Sequence, residues 1–441
     1  MKTKLYELKP FLILWVTQSF SALGSAMTNF ALVIWLYERS GSATTTALLT
    51  VCSYAPYVVL SIFAGAVSDR WDKKKIMLVC DSFAALCTVC VLVLLCTDSL
   101  SVWHLYVLNA FNGLMNSIQQ PASDVAVTLL TPKKYYQKTS GMRSFSNSLV
   151  TILTPVLATS AVVLFGLEAV IFFDLFTFAV AFLSLLLWVQ VPKAGEREKR
   201  EEGLLRAAGK GLSYLKENKG ILWLILFLAA INLIASVYSA ALPAMLLSRE
   251  NGGETVLGIV NACTGLATLA GSVLVTLAPA PKNRVRVICN ALLISMSTEN
   301  FLLAFGKTPF VWCTGAFLGW FFIPLMNANM DVVFRTEIPA PMQGRVYSAR
   351  NTLQFFTIPA GYFLGGLLVD RVFEPLMAGA FADTVPVWLF GTGKGSGAAV
   401  LFFVIGLAGV AVCLIFRRNK HIRSFGRTLE QGKGSPGTGR R

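Results

Sequence analysis

Residues 65–75 read Gly65-Ala66-Val67-Ser68-Asp69-Arg70-Trp71-Asp72-Lys73-Lys74-Lys75. An apolar run, 43–67, leads into this charged stretch, and another, 76–96, leaves it. Each run can cross the hydrocarbon of a bilayer, which takes roughly 20 apolar residues per helix. The local reading is two membrane helices joined by a short basic loop, and the alternation continues in both directions. Apolar runs fall at 11–37, 43–67, 76–96, 102–130, 142–165, 169–190, 221–247, 255–278, 287–305, 309–333, 348–370 and 398–416. Between the last two, Phe373–Gly397 carries Pro375, Pro386 and the glycine-rich Gly391–Gly397, and reads as an outer loop. The pattern predicts an all-α membrane protein with twelve transmembrane helices.

Composition agrees. Of 441 residues, 55% are hydrophobic and 14% charged, against about a quarter charged in a soluble domain. The net charge of +15 suggests nucleic acid only if the charge forms a soluble basic face. Here it sits in short segments between apolar runs. With both termini on one side, the opposite side holds only Arg39, Arg249, Lys307, Arg371 and Lys394, and the other 33 of the 38 Lys and Arg lie on the side of the termini. That asymmetry places both termini in the cytoplasm of a multi-pass cell-membrane protein, with the lipid bilayer as partner and no nucleic acid. The start, with Lys2, Lys4 and Lys9 before an apolar stretch, resembles a signal peptide, but the apolar pattern runs on to Tyr37 and reads as a first span.

Chemistry-bearing residues are sparse. Most of the nine cysteines lie inside apolar runs, including the Cys87-x-x-Cys90 pair, with no metal-ligand or disulfide spacing. The two histidines, His104 and His421, have no catalytic partner, and no Gly-rich loop ends in Gly-Lys-Ser/Thr. The expectation is no enzyme, no cofactor and no metal.

The chain divides into 1–190, a linker 191–220, 221–416 and a basic tail 417–441. Within the linker, Glu196–Lys219 has an apolar face at Leu204, Leu205, Leu212 and Leu215, suiting an amphipathic helix on the inner membrane surface. The two six-helix segments look like repeats. Asp124, Pro132, Arg143 and Asn147 recur, after equivalent helices, as Asp331, Pro339, Arg350 and Gln354. Duplicated six-helix halves describe one large transporter architecture.

The 65–75 stretch resembles the cytoplasmic loop signature of the major facilitator superfamily, G-x-x-x-D-R-x-G-R-K/R, and departs from it at Asp72, where the family has Gly. The second-half counterpart, Pro279–Arg286, keeps the basic character. Within the superfamily the chain is similar to macrolide-efflux permeases, through Glu38-Arg39-Ser40-Gly41-Ser42-Ala43, Gln120-Pro121-Ala122-Ser123, Phe173-Asp174, Glu217-Asn218-Lys219-Gly220 and Gly344-Arg345-Val346-Tyr347-Ser348. That resemblance implies the major facilitator fold of two six-helix bundles and secondary active export, usually in exchange for protons. In the resembled fold, helices one, four, seven and ten line a central cavity. The helix-four arginine of many drug antiporters is replaced here by Asn109-Ala110-Phe111-Asn112-Gly113, and the helix-five Gly-Pro motif is reduced to Thr154-Pro155.

On this basis an inner gate is expected from Gly65, Asp69, Arg70, Arg345 and Arg350: Asp69 is an acid in a basic loop, placed to face a helix N-terminus or an arginine of the other half. Asn109, Asn112, Asn116 and Gln119 recur at spacings of 3, 4 and 3 along helix four, one polar stripe. Amides facing lipid would go unsatisfied, so the stripe reads as facing a wet cavity, with interhelical hydrogen bonding as the alternative. The cavity is expected to include Gln18, Asn29, Asn112, Asn116, Asn232, Trp320 and Asn327, with aromatic walls suited to bulky amphipathic compounds. Acids inside spans are costly and become functional hypotheses; Asp174 and Glu299 are the proton-coupling candidates. The expected activity is proton-coupled efflux of a hydrophobic or amphipathic small molecule by a monomer. A siderophore or metabolite exporter, or a non-transporting scaffold, is the alternative.

Overall fold

In a computed structural model of the chain, described for residues 2–132, 135–192, 212–277, 281–338, 346, 349–350, 352–378, 389–391 and 393–430, no strand occurs. Two compact units divide at residue 201. The first holds α1 (Lys2–Ser40), α2 (Ala43–Arg70), α3 (Lys73–Cys96), α4 (Val102–Leu130), α5 (Tyr136–Phe165) and α6 (Leu167–Leu187). The second holds α7 (Lys219–Ser248), α8 (Glu254–Leu277), α9 (Arg284–Phe305), α10 (Pro309–Phe321, resuming as Ile323–Glu337), α11 (Thr357–Leu368), α12 (Ser396–Arg418) and α13 (Lys420–Glu430).

Eleven helices among the described residues are long and apolar enough to cross a membrane. The helix missing from that set is α4, 29 residues long, whose hydropathy is diluted by Asn109, Asn112, Asn116, Gln119 and Gln120. With α4 the arrangement is the expected twelve. The eleventh span reaches further than its apolar run suggests: α11 passes through a π-helical turn, Val369–Phe373, into a last turn, Glu374–Ala378. The Glu374 carboxylate then accepts from the backbone N–H groups of Gly395 and Ala398 at 3.0 and 3.2 Å, capping the start of α12. Of the expected linker, 193–211 lie outside the described residues, so the expected helix Glu196–Lys219 is described only in its last part, where 212–217 are helical. The tail begins as α13, whose Ile422 is buried and whose Phe425 packs against Gly220 of α7.

The basic loop after α2 does structural work at two helix ends. Asp72, the residue at the signature's glycine, sits in extended conformation at the N-cap of α3 and accepts from the Lys75 N–H at 3.1 Å. Lys74 donates to the carbonyls of Leu186 and Val189 at 3.0 and 2.8 Å, satisfying acceptors that the end of α6 would leave open. In the second unit, Asn283 caps α9 in the same manner, accepting from the Arg286 N–H at 2.8 Å. The loops after α2 and α8 therefore share a cap as well as their basic character. Asp72→Ala is expected to cost about 1 kcal/mol of stability, read as a lower thermal midpoint of the detergent-solubilised protein, with Asp72→Asn close to unchanged.

In the first unit, α2 packs along α4, α1 along α6, and α3 against both α4 and α6. One apolar cluster gathers Leu23, Leu36, Leu49, Leu105, Ala158 and Ile171; a second, nearer the other helix ends, gathers Phe11, Leu14, Met77, Ala122, Ala126 and Leu185. Gly113 lets the α2 and α4 backbones touch, since a Cβ there would run into the Ser53 carbonyl oxygen. In the second unit, α7 packs with α11 and α12, and α9 packs with α10 and α12.

Candidate functional site

The second unit contains a cavity of about 250 Å³. Its walls follow from helical periodicity. Leu228, Asn232, Ala235 and Tyr238 lie along one face of α7, and Leu292, Ser295, Met296 and Glu299 along one face of α9. Trp320, Ile323, Asn327, Met330 and Asp331 come from α10, and Arg350 and Gln354 close one end. The surface is largely aliphatic, thioether and aromatic, with a few polar groups set into it, the usual make-up of a small-molecule site.

Toward the Phe305 end of α9, Glu299 is 4% exposed. Its Oε1 accepts from the Trp320 indole N–H at 2.8 Å, and the Tyr238 hydroxyl lies beside the same carboxylate. Gly319 makes the room, because a Cβ there would lie 2.5 Å from the Glu299 Cβ and 2.7 Å from its Oε2. A carboxylate so buried is tolerated only with hydrogen bonds or with a proton of its own. Toward the other end, Arg350 donates through Nε to Gln354 Oε1 at 3.1 Å, and its guanidinium lies 4.6 Å from the Phe334 ring centroid. Asn232 donates to the Gln354 carbonyl at 3.4 Å.

The structure thus brings Asn232, Glu299, Trp320, Asn327 and Arg350 into one cavity. Asp174 lies elsewhere, between α6 and α1: it is 4% exposed, accepts from Ser25 Oγ at 2.9 Å and packs under Gly24. At the repeated positions, Asp124 on α4 and Arg143 on α5 form an ion pair at 2.6 Å, while their counterparts Asp331 and Arg350 both line the cavity. Gly65, Asp69 and Arg70 lie on the last turns of α2; their side chains, and all of Arg345, lie outside the described residues.

The first-unit amides separate. Asn29 and Asn116 are exposed, Asn29 donating to the Ser25 carbonyl at 3.0 Å, and Asn112 is partly buried. Asn109 is buried and bonds within its own helix, to the Leu105 carbonyl at 3.0 Å. Gln119 donates to Asp81 on α3, and Gln18 of α1 approaches the same carboxylate. Sequence reasoning passed over Asp81, although an acid five residues after Ile76 in an apolar run is a visible signal. It also passed over Met326 and Met330, which carry no signal beyond hydrophobicity.

The sequence profile described as Major Facilitator Superfamily matches residues 14–362. The chain belongs to that superfamily. Among its relatives, this facilitator is 25% identical over 366 residues to macrolide efflux protein A of Streptococcus pyogenes, covering 82% of this chain and 90% of the relative. It is 21% identical over 392 residues to the multidrug efflux pump Tap of Mycolicibacterium fortuitum, covering 87% and 94%. A POT family transporter solved in complex with 5-aminolevulinic acid superposes with a TM-score of 0.69 at 12% identity, covering 95% and 96%, which shows the shared fold. The protein is a multi-pass membrane transporter of this superfamily, with efflux proteins among its relatives.

Proposed function

We propose that this facilitator exports hydrophobic or amphipathic small molecules, of the kind named for its efflux relatives, in exchange for protons. The observation that carries the reading is the second-unit cavity, an apolar, methionine-rich wall around one buried carboxylate, Glu299. Thioether and aromatic side chains adapt to varied apolar shapes, and a carboxylate buried among them suits a proton or a cationic head, with Asp331 and Arg350 supplying opposite charges elsewhere in the lining. Glu299 opens onto the cavity, whereas Asp174 is tied to Ser25, so Glu299 is the favoured carrier of the two. Residues 1–190 and 221–416 are the two bundles that rock about the cargo, joined by 191–220, in a monomer with both termini in the cytoplasm. Asn29, Asn112 and Asn116 are the first bundle's contribution to the cargo path, where Gln18 was also expected but turns toward Asp81 instead; Asn232, Trp320 and Asn327 are the second's. The inner gate is made by Gly65, Asp69 and Arg70 with Arg345 and Arg350, closed while Asp69 is engaged.

The test is transport by the purified protein in proteoliposomes under an imposed pH gradient, across macrolides, lipophilic dyes and, as the competing class, anionic siderophores. Gradient-dependent export of the first two supports the reading; export confined to anionic metabolites, or no dependence on the gradient, overturns it. In the same vesicles Asp69→Asn is expected to lower transport several-fold for every cargo. Wild-type rates in that variant would remove the gate.

A further inference from the structure

The first unit holds a second carboxylate inside its spans that the cavity does not use. Asp81 sits on α3, partly buried, where α3 packs against α4 and α6. Gln119 of α4 donates its amide N–H to Asp81 Oδ1, and Gln18 of α1 brings a second amide to the same group. The Gln18 Nε2 atom is buried and makes no hydrogen bond, so the amide bonded to Asp81 is that of Gln119 and Gln18 stands beside the pair with a donor unused. The cluster thus draws one residue from each of three helices, far apart in sequence.

The neighbours of Asp81 differ from those of the other acids in this unit. Asp124 is paired with Arg143, and Asp174 is held by the Ser25 hydroxyl. Among the described residues, the groups brought to Asp81 from α1 and α4 are both neutral amides, and α6 brings no charged group. Its titratable neighbour is the Cys80 thiol on α3 itself.

We propose that Asp81, with Gln18 and Gln119 as positioning residues, is a reversible proton-binding site. Amides suit that task because each carries both kinds of hydrogen-bonding group. Facing a carboxylate, a glutamine presents its N–H; facing the protonated acid, the same side chain turns end for end and accepts through its carbonyl. Both charge states are satisfied with no change of helix position. A metal ion is a poor occupant, since it needs several oxygen ligands, while Gln119 directs N–H toward the carboxylate. The step balances simply: the carboxylate takes a proton from hydronium, leaving water and the neutral acid, and returns the proton to water in the reverse step. A role for this proton in driving transport rests on the proton-coupled reading above; the binding itself does not.

The direct measurement is pH-difference infrared spectroscopy of the purified wild-type protein in lipid, with transport assayed in parallel. A protonated-carboxyl stretching band is expected to titrate, to vanish in Asp81→Asn, to persist with an altered frequency in Asp81→Glu, and to change frequency in Gln119→Leu. Asp81→Asn is also expected to lose uphill export and keep downhill efflux, which shows it folded. An unchanged set of titrating bands in a folded Asp81→Asn protein overturns the site. If the band titrates as expected but wild-type transport ignores the pH gradient, the site stands and the proton-coupled reading falls. Should wild-type export follow the gradient while Asp81→Asn leaves the spectrum untouched, the reverse holds.

Discussion

Glu299→Gln is expected to abolish uphill export under a pH gradient while downhill efflux of the same cargo continues. The argument rests on how little else the substitution changes. Glutamine keeps an oxygen to accept the Trp320 indole N–H, now at 2.8 Å from Glu299 Oε1, and nearly the same volume against Gly319. What it removes is the ability to exchange a proton. A neutral group in that apolar pocket carries no desolvation cost of charge, so the variant should be at least as stable as wild type. Accumulation against a gradient falls to the level of empty vesicles, and equilibrium cargo exchange remains measurable. Asp174→Asn is the informative companion: its carboxylate bonds Ser25 on a neighbouring helix, so pumping should persist with some loss of stability. Uphill export at wild-type rate by Glu299→Gln would falsify the assignment, and the opposite pattern in the two variants would transfer it to Asp174.

The second large effect concerns folding. Gly113→Ala adds one methyl where α4 lies directly on α2, and the atom it meets is the Ser53 carbonyl oxygen. Backbone cannot swing aside as a side chain can, so the two helices must separate along their whole contact. Overpacking of this kind costs about 1–3 kcal/mol, and in a membrane, where close backbone approach is itself a main source of helix association, the upper part of that range is expected. The readout is the yield of monodisperse protein and its thermal midpoint in detergent. Serine, only slightly larger than alanine, should behave alike, and valine should prevent folding altogether. A Gly113→Ala protein melting with wild type would mean that α2 and α4 do not rely on this contact.

The spans were legible because bilayer thickness imposes a length on apolar runs, and that constraint is local. Where the constraint was diluted, legibility fell: α4 remained recognisable by its helical stripe although its amides take it below the hydropathy of its neighbours. The stripe itself divided in a way periodicity cannot show. Asn109 satisfies its amide on its own helix, and Gln119 reaches across to α3, because the partner of each depends on what packs opposite. Asp72 shows the same limit from another side. Against the family signature it reads as a defect, yet its side chain fills a cap that a glycine leaves to water. The cavity was half legible: Asn232, Trp320 and Asn327 were polar or aromatic enough to stand out among apolar neighbours. The methionines beside them were not, since in a membrane chain a lipid-facing Met and a cavity Met look identical. Asp81 was readable in principle, and its significance came only with Gln18 and Gln119, 63 and 38 positions away.

The interruption of α10 at Phe322 has a mechanical consequence. Helical pairing stops there and restarts at Ile323, with Pro324 unable to donate a backbone hydrogen bond. Trp320 lies before this break and Asn327 after it, so one wall of the pocket is carried on two helical segments that meet at a joint lacking a backbone hydrogen bond. Flexing the joint changes the spacing between the indole that holds Glu299 and the amide two turns further on. Any occupant touching both is squeezed or released with each bend, which ties its grip to the shape of a single helix.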